Sequence, residues 1–205
     1  MKKIAVVYFS KTDITHQLAQ AIIDGIQAQD VQVIEHRIEG TSIIEGRFEH
    51  PELFEALLSC DAIIFGSPTY MGGVSAQFKA FADASSEFWA DQRWANKLAA
   101  GFTSGGGYNG DQSSTLQYLT TLAGQHGMLW VNLDVAGGFG PQGLNRLGQQ
   151  SGVVAQGMEG QAHPSDLATA QYLGKRVAQW VTRLQCERPL LVRGAFFDYA
   201  DACSG

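Results

Sequence analysis

Residues 3–15 read KIAVVYFSKTDIT, an unbroken, β-branched apolar run that stops in a cluster of hydroxyl residues. A strand with one wet face alternates apolar and polar residues; a run without alternation fits a strand covered on both faces, as in the middle of a parallel sheet. Just beyond it, Ile14, Leu18, Ile22 and Ile26 recur every four residues with Ala21 and Gly25 beside them. That spacing places one apolar stripe on a helix over about 14–29. Strand, hydroxyl-rich turn and helix form the opening unit, and the rest of the chain repeats it.

A second strand is expected over 31–37, nearer an edge because Gln32, Glu35 and His36 interrupt it. A short helix (52–58) leads to a third strand, AIIF (62–65), which ends at Gly66 and turns through residues 67–73. A third helix (75–84) and an aromatic-rich connection (85–94) precede a fourth strand (97–102) and the run Gly105, Gly106, Gly107. Then come a fourth helix (114–125), a fifth strand (128–133) and a last helix (166–184), whose apolar face carries Leu167, Ala170, Leu173, Val177, Trp180 and Val181. The repetition predicts an α/β three-layer sandwich: five parallel strands in the order 2-1-3-4-5, right-handed crossovers, and helices on both faces. Between the last strand and last helix, residues 134–165 are rich in Gly and Gln and nearly free of periodicity. They read as a long loop insertion, a length that in a compact domain serves function or a partner, or is disordered. One domain over 1–185 is expected, followed by a tail, 186–205, with no clear element.

Such a length, 205 residues with 45% hydrophobic residues, supports one well-buried core. Fourteen basic against 20 acidic residues, a net charge of −6, argue against a surface that tracks nucleic-acid phosphates. The apolar runs are shorter than the roughly 18 to 20 residues of a membrane span, and the first is too short for a signal peptide, so a soluble cytoplasmic protein is expected. Cysteines 60, 186 and 203 have no metal-like spacing; no metal site is expected, and Cys60 reads as a core residue.

In an open parallel sheet the carboxyl ends of the strands share one edge, so the turns at 10–15, 66–73 and 103–110 converge on one crevice. Hydroxyls, glycine backbone and a helix N-terminus suit a phosphate and the polar edge of a flat ring. Each turn also has a plainer reading. Ser10, Thr12 and Thr15 can cap a helix, Pro68 and Gly72 can shape a tight turn, and Gly105 to Gly107 can be a flexible link.

Four segments, in order, resemble the flavodoxin-like fold and its tryptophan-repressor-binding-protein type of NAD(P)H:quinone oxidoreductase. Ser10-Lys11-Thr12-Asp13-Ile14-Thr15 resembles the flavodoxin phosphate loop. Gly66-Ser67-Pro68-Thr69-Tyr70-Met71-Gly72, followed by Ser75-Ala76-Gln77 and Phe81, resembles the second flavin loop. Thr103-Ser104-Gly105-Gly106-Gly107 with His126-Gly127-Met128 resembles the third loop and the histidine before strand five, and 168–178 resembles the last helix. The resemblance implies FMN as cofactor and NAD(P)H as co-substrate. Ser10, Lys11, Thr12, Asp13, Ile14 and Thr15 would bind the phosphate. Pro68, Thr69, Tyr70, Met71, Gly72, Thr103, Ser104, Gly105, Gly106, Gly107 and Tyr108 would surround the ring. It further implies active-site roles for His126 and Trp89, a quinone-like acceptor reduced by two electrons in ping-pong fashion on one flavin face, and a homo-oligomer, dimer or tetramer. Asp13 stands where the family pattern has Gly, and Tyr70 where members often have Arg. A flavodoxin-type electron carrier and a non-enzymatic partner-binding protein remain as alternatives.

Overall fold

The computed structural model describes residues 1–138, 143–158 and 160–184. The elements, in chain order, are β1 (Lys3–Tyr8), α1 (Ile14–Gln27), β2 (Gln32–Arg37), a small hairpin of β3 (Ile43–Ile44) and β4 (Arg47–Phe48), α2 (Pro51–Leu58), β5 (Ala62–Tyr70), β6 (Gly73–Val74) and α3 (Ala76–Ala84). They continue with β7 (Leu98–Gly105), α4 (Gln112–Gln125), β8 (Leu129–Trp130), β9 (Val153–Met158), β10 (Gln161–Ala162) and α5 (Pro164–Arg183). No described helix is long and apolar enough to cross a membrane.

The opening run behaves as its composition demands. Along β1, Ile4, Val6 and Tyr8 point to one apolar layer while Ala5 and Val7 point to the other, all fully buried, because successive Cβ atoms leave opposite faces of a strand. The first layer is roofed by α1 and α5, with Leu18, Ile22, Leu173 and Val177. The second is roofed by α2, α3 and α4, with Phe54, Phe78 and Leu119. Parallel pairing runs β2-β1-β5-β7-β9, the expected order, and antiparallel β6 and β10 extend it.

Helix starts follow their capping chemistry. Ser75 Oγ accepts from Phe78 N at 3.2 Å before α3, and α2 and α5 begin with Pro51 and Pro164, a residue whose missing N–H costs nothing at the first helical position. The roof of α1 and α5 depends on two glycines. A Cβ on Gly25 would stand 2.1 Å from Gln171 O, and one on Gly174 would stand 2.1 Å from Ile22 O.

Two expectations needed correction. The fifth strand is not the single run 128–133: β8 pairs with the start of β7 (Leu98↔Leu129, Ala99↔Trp130) and β9 with its end (Phe102↔Val153 to Gly105↔Gln156). Residues 134–165, read as one structureless loop, therefore contain the outer half of that strand and a β9–β10 hairpin. Val153, Val154 and Ala155 are buried, but three apolar residues between Gly152 and Gly157 are too few to announce a strand. Likewise β5 does not stop at Phe65. It runs on through Ser67 and Pro68, in register with Thr103 and Ser104 of β7, because strand pairing outweighs the turn-like composition. The tail 186–205, with Cys186 and Cys203, lies outside the described residues; Cys60 is buried.

Candidate active site

All three turns lie at the carboxyl edge of the sheet. The first spans the end of β1 to the start of α1. Asp13 is its N-cap residue, with a left-handed φ of 72° and no side-chain capping bond. Its carbonyl accepts from Gln17 N at 2.9 Å, so Asp13 starts the helix through its backbone and not its side chain. The first N–H groups of a helix have no partner within it, which leaves those of Ile14 and Thr15 available. Ser10 Oγ accepts from His16 N at 3.2 Å. Lys11, Thr12 and Asp13 are exposed, whereas Ser10, Ile14 and Thr15 are buried.

The second turn is a hairpin, not a simple strand-to-helix link. Thr69 pairs with Val74 and Tyr70 with Gly73, leaving Met71 and Gly72 at the tip with φ of 49° and 77°. Two successive positive φ values are the signature of a type I′ turn, and Met71 carries one of them without being glycine. Its side chain is fully exposed. Ser67 Oγ accepts from Ser75 N at 2.9 Å, which fixes the return of the chain into α3.

The third turn leaves β7 at Gly105 and enters α4 at Gln112. Short hydroxyl contacts join it to the other two. Thr15 Oγ1 and Ser104 Oγ lie 2.8 Å apart. Thr69 Oγ1 is 2.8 Å from both Thr103 Oγ1 and Thr115 Oγ1. Thr69, Met71, Gly72, Gly105, Gly106 and Gly107 line one cleft of about 500 Å3 together with Asn109, Asp111 and Gln112. Tyr70 and Tyr108 are both exposed, at 40% and 71%. Asp13 borders a different groove, of about 630 Å3, with His16, Gln17 and Gln171 between α1 and α5.

This donor set suits a phosphorylated flat ring. No heavy atom lies within 4 Å of where a Cβ would stand on Gly72 or Gly106, so backbone is open to close approach on two sides of the cleft. Hydroxyls and helix-start amides stand at the first turn for an anion.

Trp89 and His126 are brought together elsewhere. They share a cleft of about 290 Å3 with Lys79, Asp83 and Tyr118 and contribute nothing to the cleft lined by the second and third turns. His126 caps the far end of the 14-residue α4, so at about 1.5 Å per residue the helix separates it from Gln112 by roughly 20 Å. Its ring is buried, 4.4 Å from that of Trp94. Ser85 Oγ donates its one hydrogen to Ala82 O at 2.6 Å, so His126 Nε2 must donate to Ser85 Oγ across 2.9 Å. Burial pushes the imidazole down to about 4, which keeps it neutral. Trp94 and Phe88 are buried packing residues, as expected.

Sequence reading missed three polar groups at the carboxyl edge. Gln112, buried, donates Nε2–H to Gly107 O at 2.7 Å and so shapes the glycine run. Asn109 Nδ2 donates to Leu147 O at 3.0 Å, tying the third turn to the insertion. Arg37 Nη2 donates to Ser10 O at 2.9 Å. Gln112 is close in sequence to the turn it supports, yet no short motif marks it; Arg37 reaches its turn only through strand pairing.

A family profile described as NADPH-dependent FMN reductase matches residues 3–142. The chain is 38% identical to flavodoxin FldP of Pseudomonas aeruginosa over 87% of its own length and 96% of that protein. It is 33% identical to an NAD(P)H dehydrogenase (quinone) of Archaeoglobus fulgidus, covering 90% of this chain and 100% of the relative. Among solved structures, a flavodoxin, WrbA-like protein from Agrobacterium tumefaciens superposes with a TM-score of 0.70 at 39% identity, covering 89% and 99% of the two chains. Profile, relatives and sheet order agree, and the chain belongs to the NADPH-dependent FMN reductase family, as a WrbA-like oxidoreductase of flavodoxin-like fold.

Proposed function

We propose that the protein holds FMN across the three turns at the carboxyl edge, accepts a hydride from NADH or NADPH, and passes two electrons to a quinone-like acceptor. The observation that carries this reading is the joining of all three turns by short hydroxyl contacts beside an open glycine-floored cleft. The first turn, Ser10 to Thr15, would take the phosphate, through hydroxyls and the N–H groups that begin α1. The ring would lie between Pro68 to Gly72 and Thr103 to Tyr108, with backbone of the third turn at its polar edge. FMN supplies the hydride and electron chemistry; the protein supplies binding, orientation and electrostatics.

The chain's own groups do the rest. The Thr69 contacts to Thr103 and Thr115 hold the second turn against the third, so the tip at Met71 and Gly72 stays in place. Gln112 keeps Gly107 O occupied, which orients the glycine run. Exposed Tyr70 and Tyr108 offer flat apolar faces to a nicotinamide or a quinone ring, and one open face used in turn by donor and acceptor gives ping-pong kinetics. His126 and Trp89 belong to this reading as active-site residues only if their cleft meets a flavin in an assembled homo-oligomer, dimer or tetramer. A cytoplasmic location fits this donor chemistry.

The test is spectroscopic. FMN-loaded protein, kept anaerobic, should lose its flavin absorbance on adding NADH or NADPH and recover it on adding a quinone. Protein that binds FMN but bleaches with neither nucleotide would sink the donor assignment. That outcome would favour the second reading, an electron carrier, which the 38% identity to flavodoxin FldP supports.

A further inference from the structure

The end of β2 meets the first turn through one side chain. Arg37 stands opposite Tyr8 in the β1–β2 register, and its Nη2 donates to Ser10 O at 2.9 Å. Both backbones are pinned at that point: Ile38 N donates to Tyr8 O at 2.7 Å and Phe9 N to Gly66 O at 3.1 Å. The Ser10 carbonyl is therefore gripped from a fixed base. No described peptide bond is cis, and across a trans peptide the C=O and the following N–H point in opposite directions. Holding Ser10 O against the guanidinium consequently turns the Lys11 N–H away from it and fixes the direction of that donor.

Charge points the same way. Within the turn, Lys11 and Asp13 cancel, and both are exposed. Asp13 keeps its carboxylate out of any capping bond. Arg37 is the cation tied to the turn by a hydrogen bond; Glu39 lies only loosely beside it, 3.9 Å from Nε, and the Glu35 carboxylate is engaged by Tyr8 and Gln20.

We infer that Arg37 is a positioning residue for the phosphate of the bound flavin: it orients the Ser10–Lys11 peptide toward the anion and supplies the positive charge that Asp13 removes. The inference rests on the FMN reading above. It places part of the phosphate site on the second strand, outside the turn itself.

The test compares two flavins with one ring and different tails. Fluorescence quenching gives the affinity of the full chain for FMN and for riboflavin, which lacks the phosphate. Arg37→Met keeps the stem and loses the charge and the fork; it should weaken FMN about 10-fold while changing riboflavin less than about twofold, the size expected for one charge-assisted bond. Arg37→Lys, which keeps charge but not the planar fork, should fall between, at about threefold. It also carries the test alone if circular dichroism shows the Met variant unfolded. Equal weakening of both flavins, or FMN binding within twofold of wild type in every folded variant, would overturn the inference and leave the FMN reading intact. A wild-type chain that quenches neither flavin would overturn that reading, and the inference with it.

Discussion

At the carboxyl edge of the sheet, small hydroxyl side chains tie three turns together while Met71 and Tyr108 face solvent. Toward the amino edge, the buried Trp94 ring lies 6.2 Å from that of Phe88, 6.4 Å from Phe54 and 4.4 Å from His126. One end is held by contacts that each contribute on the order of 1 kcal/mol net; the other is held by large apolar surfaces removed from water. With the flavin site placed as proposed, the difference teaches that binding and stability draw on opposite ends of the same domain, so each should be alterable with limited effect on the other.

The largest expected effect lies at the aromatic end. Trp94→Ala should cost about 3 to 5 kcal/mol in urea unfolding, with FMN affinity of the folded protein unchanged. A matching loss of affinity would break the separation.

Acid probes the aromatic end through His126 and the carboxyl end of β2 through His36. Burial pushes His36 and His126 down to about 4, with the neighbouring His50 adding to the effect on His36. Each histidine is neutral in the folded protein above that value but takes a proton in the unfolded chain below about 6.5. The unfolded state therefore binds more protons between about pH 6.5 and 4, and stability falls as pH drops through that window. For fully buried His126 the loss is about 2 kcal/mol at pH 5. Denaturant midpoints at pH 7 and pH 5 measure it, and His126→Gln should flatten the dependence.

Smaller effects belong to the carboxyl edge and should appear in binding more than in folding. Thr69→Val removes the hydroxyl that meets Thr103 and Thr115, and is expected to cost about 1 kcal/mol of stability while weakening FMN roughly threefold by titration. Asp13→Gly is the mildest. It exchanges a left-handed aspartate for the residue that prefers that φ and removes a carboxylate from the turn proposed to take the phosphate. Stability should stay within about 0.5 kcal/mol, FMN should bind about threefold tighter, and riboflavin should not change. An FMN affinity lowered by that substitution would show that the carboxylate helps the site.

The central strands were legible because β1 and the first half of β5 are short, unbroken apolar runs bounded by turn residues, and their order because strand and helix alternate along the chain. The α1 stripe was legible because its isoleucines recur at four-residue spacing. What escaped reading was set by partners distant in sequence. Ser67, Pro68 and Thr69 look like a turn, and only β7 alongside makes them strand. Val153 to Ala155 look like loop until the edge of β7 is free to take them. At the site, hydroxyl and glycine content identified the three turns, whereas Arg37 and Gln112 act through contacts that no local pattern encodes. His126 shows the converse: a residue singled out by resemblance is placed by the fold at the far end of α4 from the third turn.

The divided fifth strand has a consequence for how this chain can be cut and joined. Trp130 and Val153 sit on the same edge of β7, opposite Ala99 and Phe102. Only positions 100 and 101 lie between those partners, yet twenty-two residues of chain, 131–152, connect the two half-strands. The segment is thus a side excursion from an otherwise continuous edge. A two-residue splice would join the halves, but it would also strip buried Val131, Leu133 and Leu144 from the domain, part Asp166 from Arg146 and release Asn109 from Leu147. The chain leaves the edge of β7 and returns to it bearing core side chains, so the insertion is built into the domain and not appended to it.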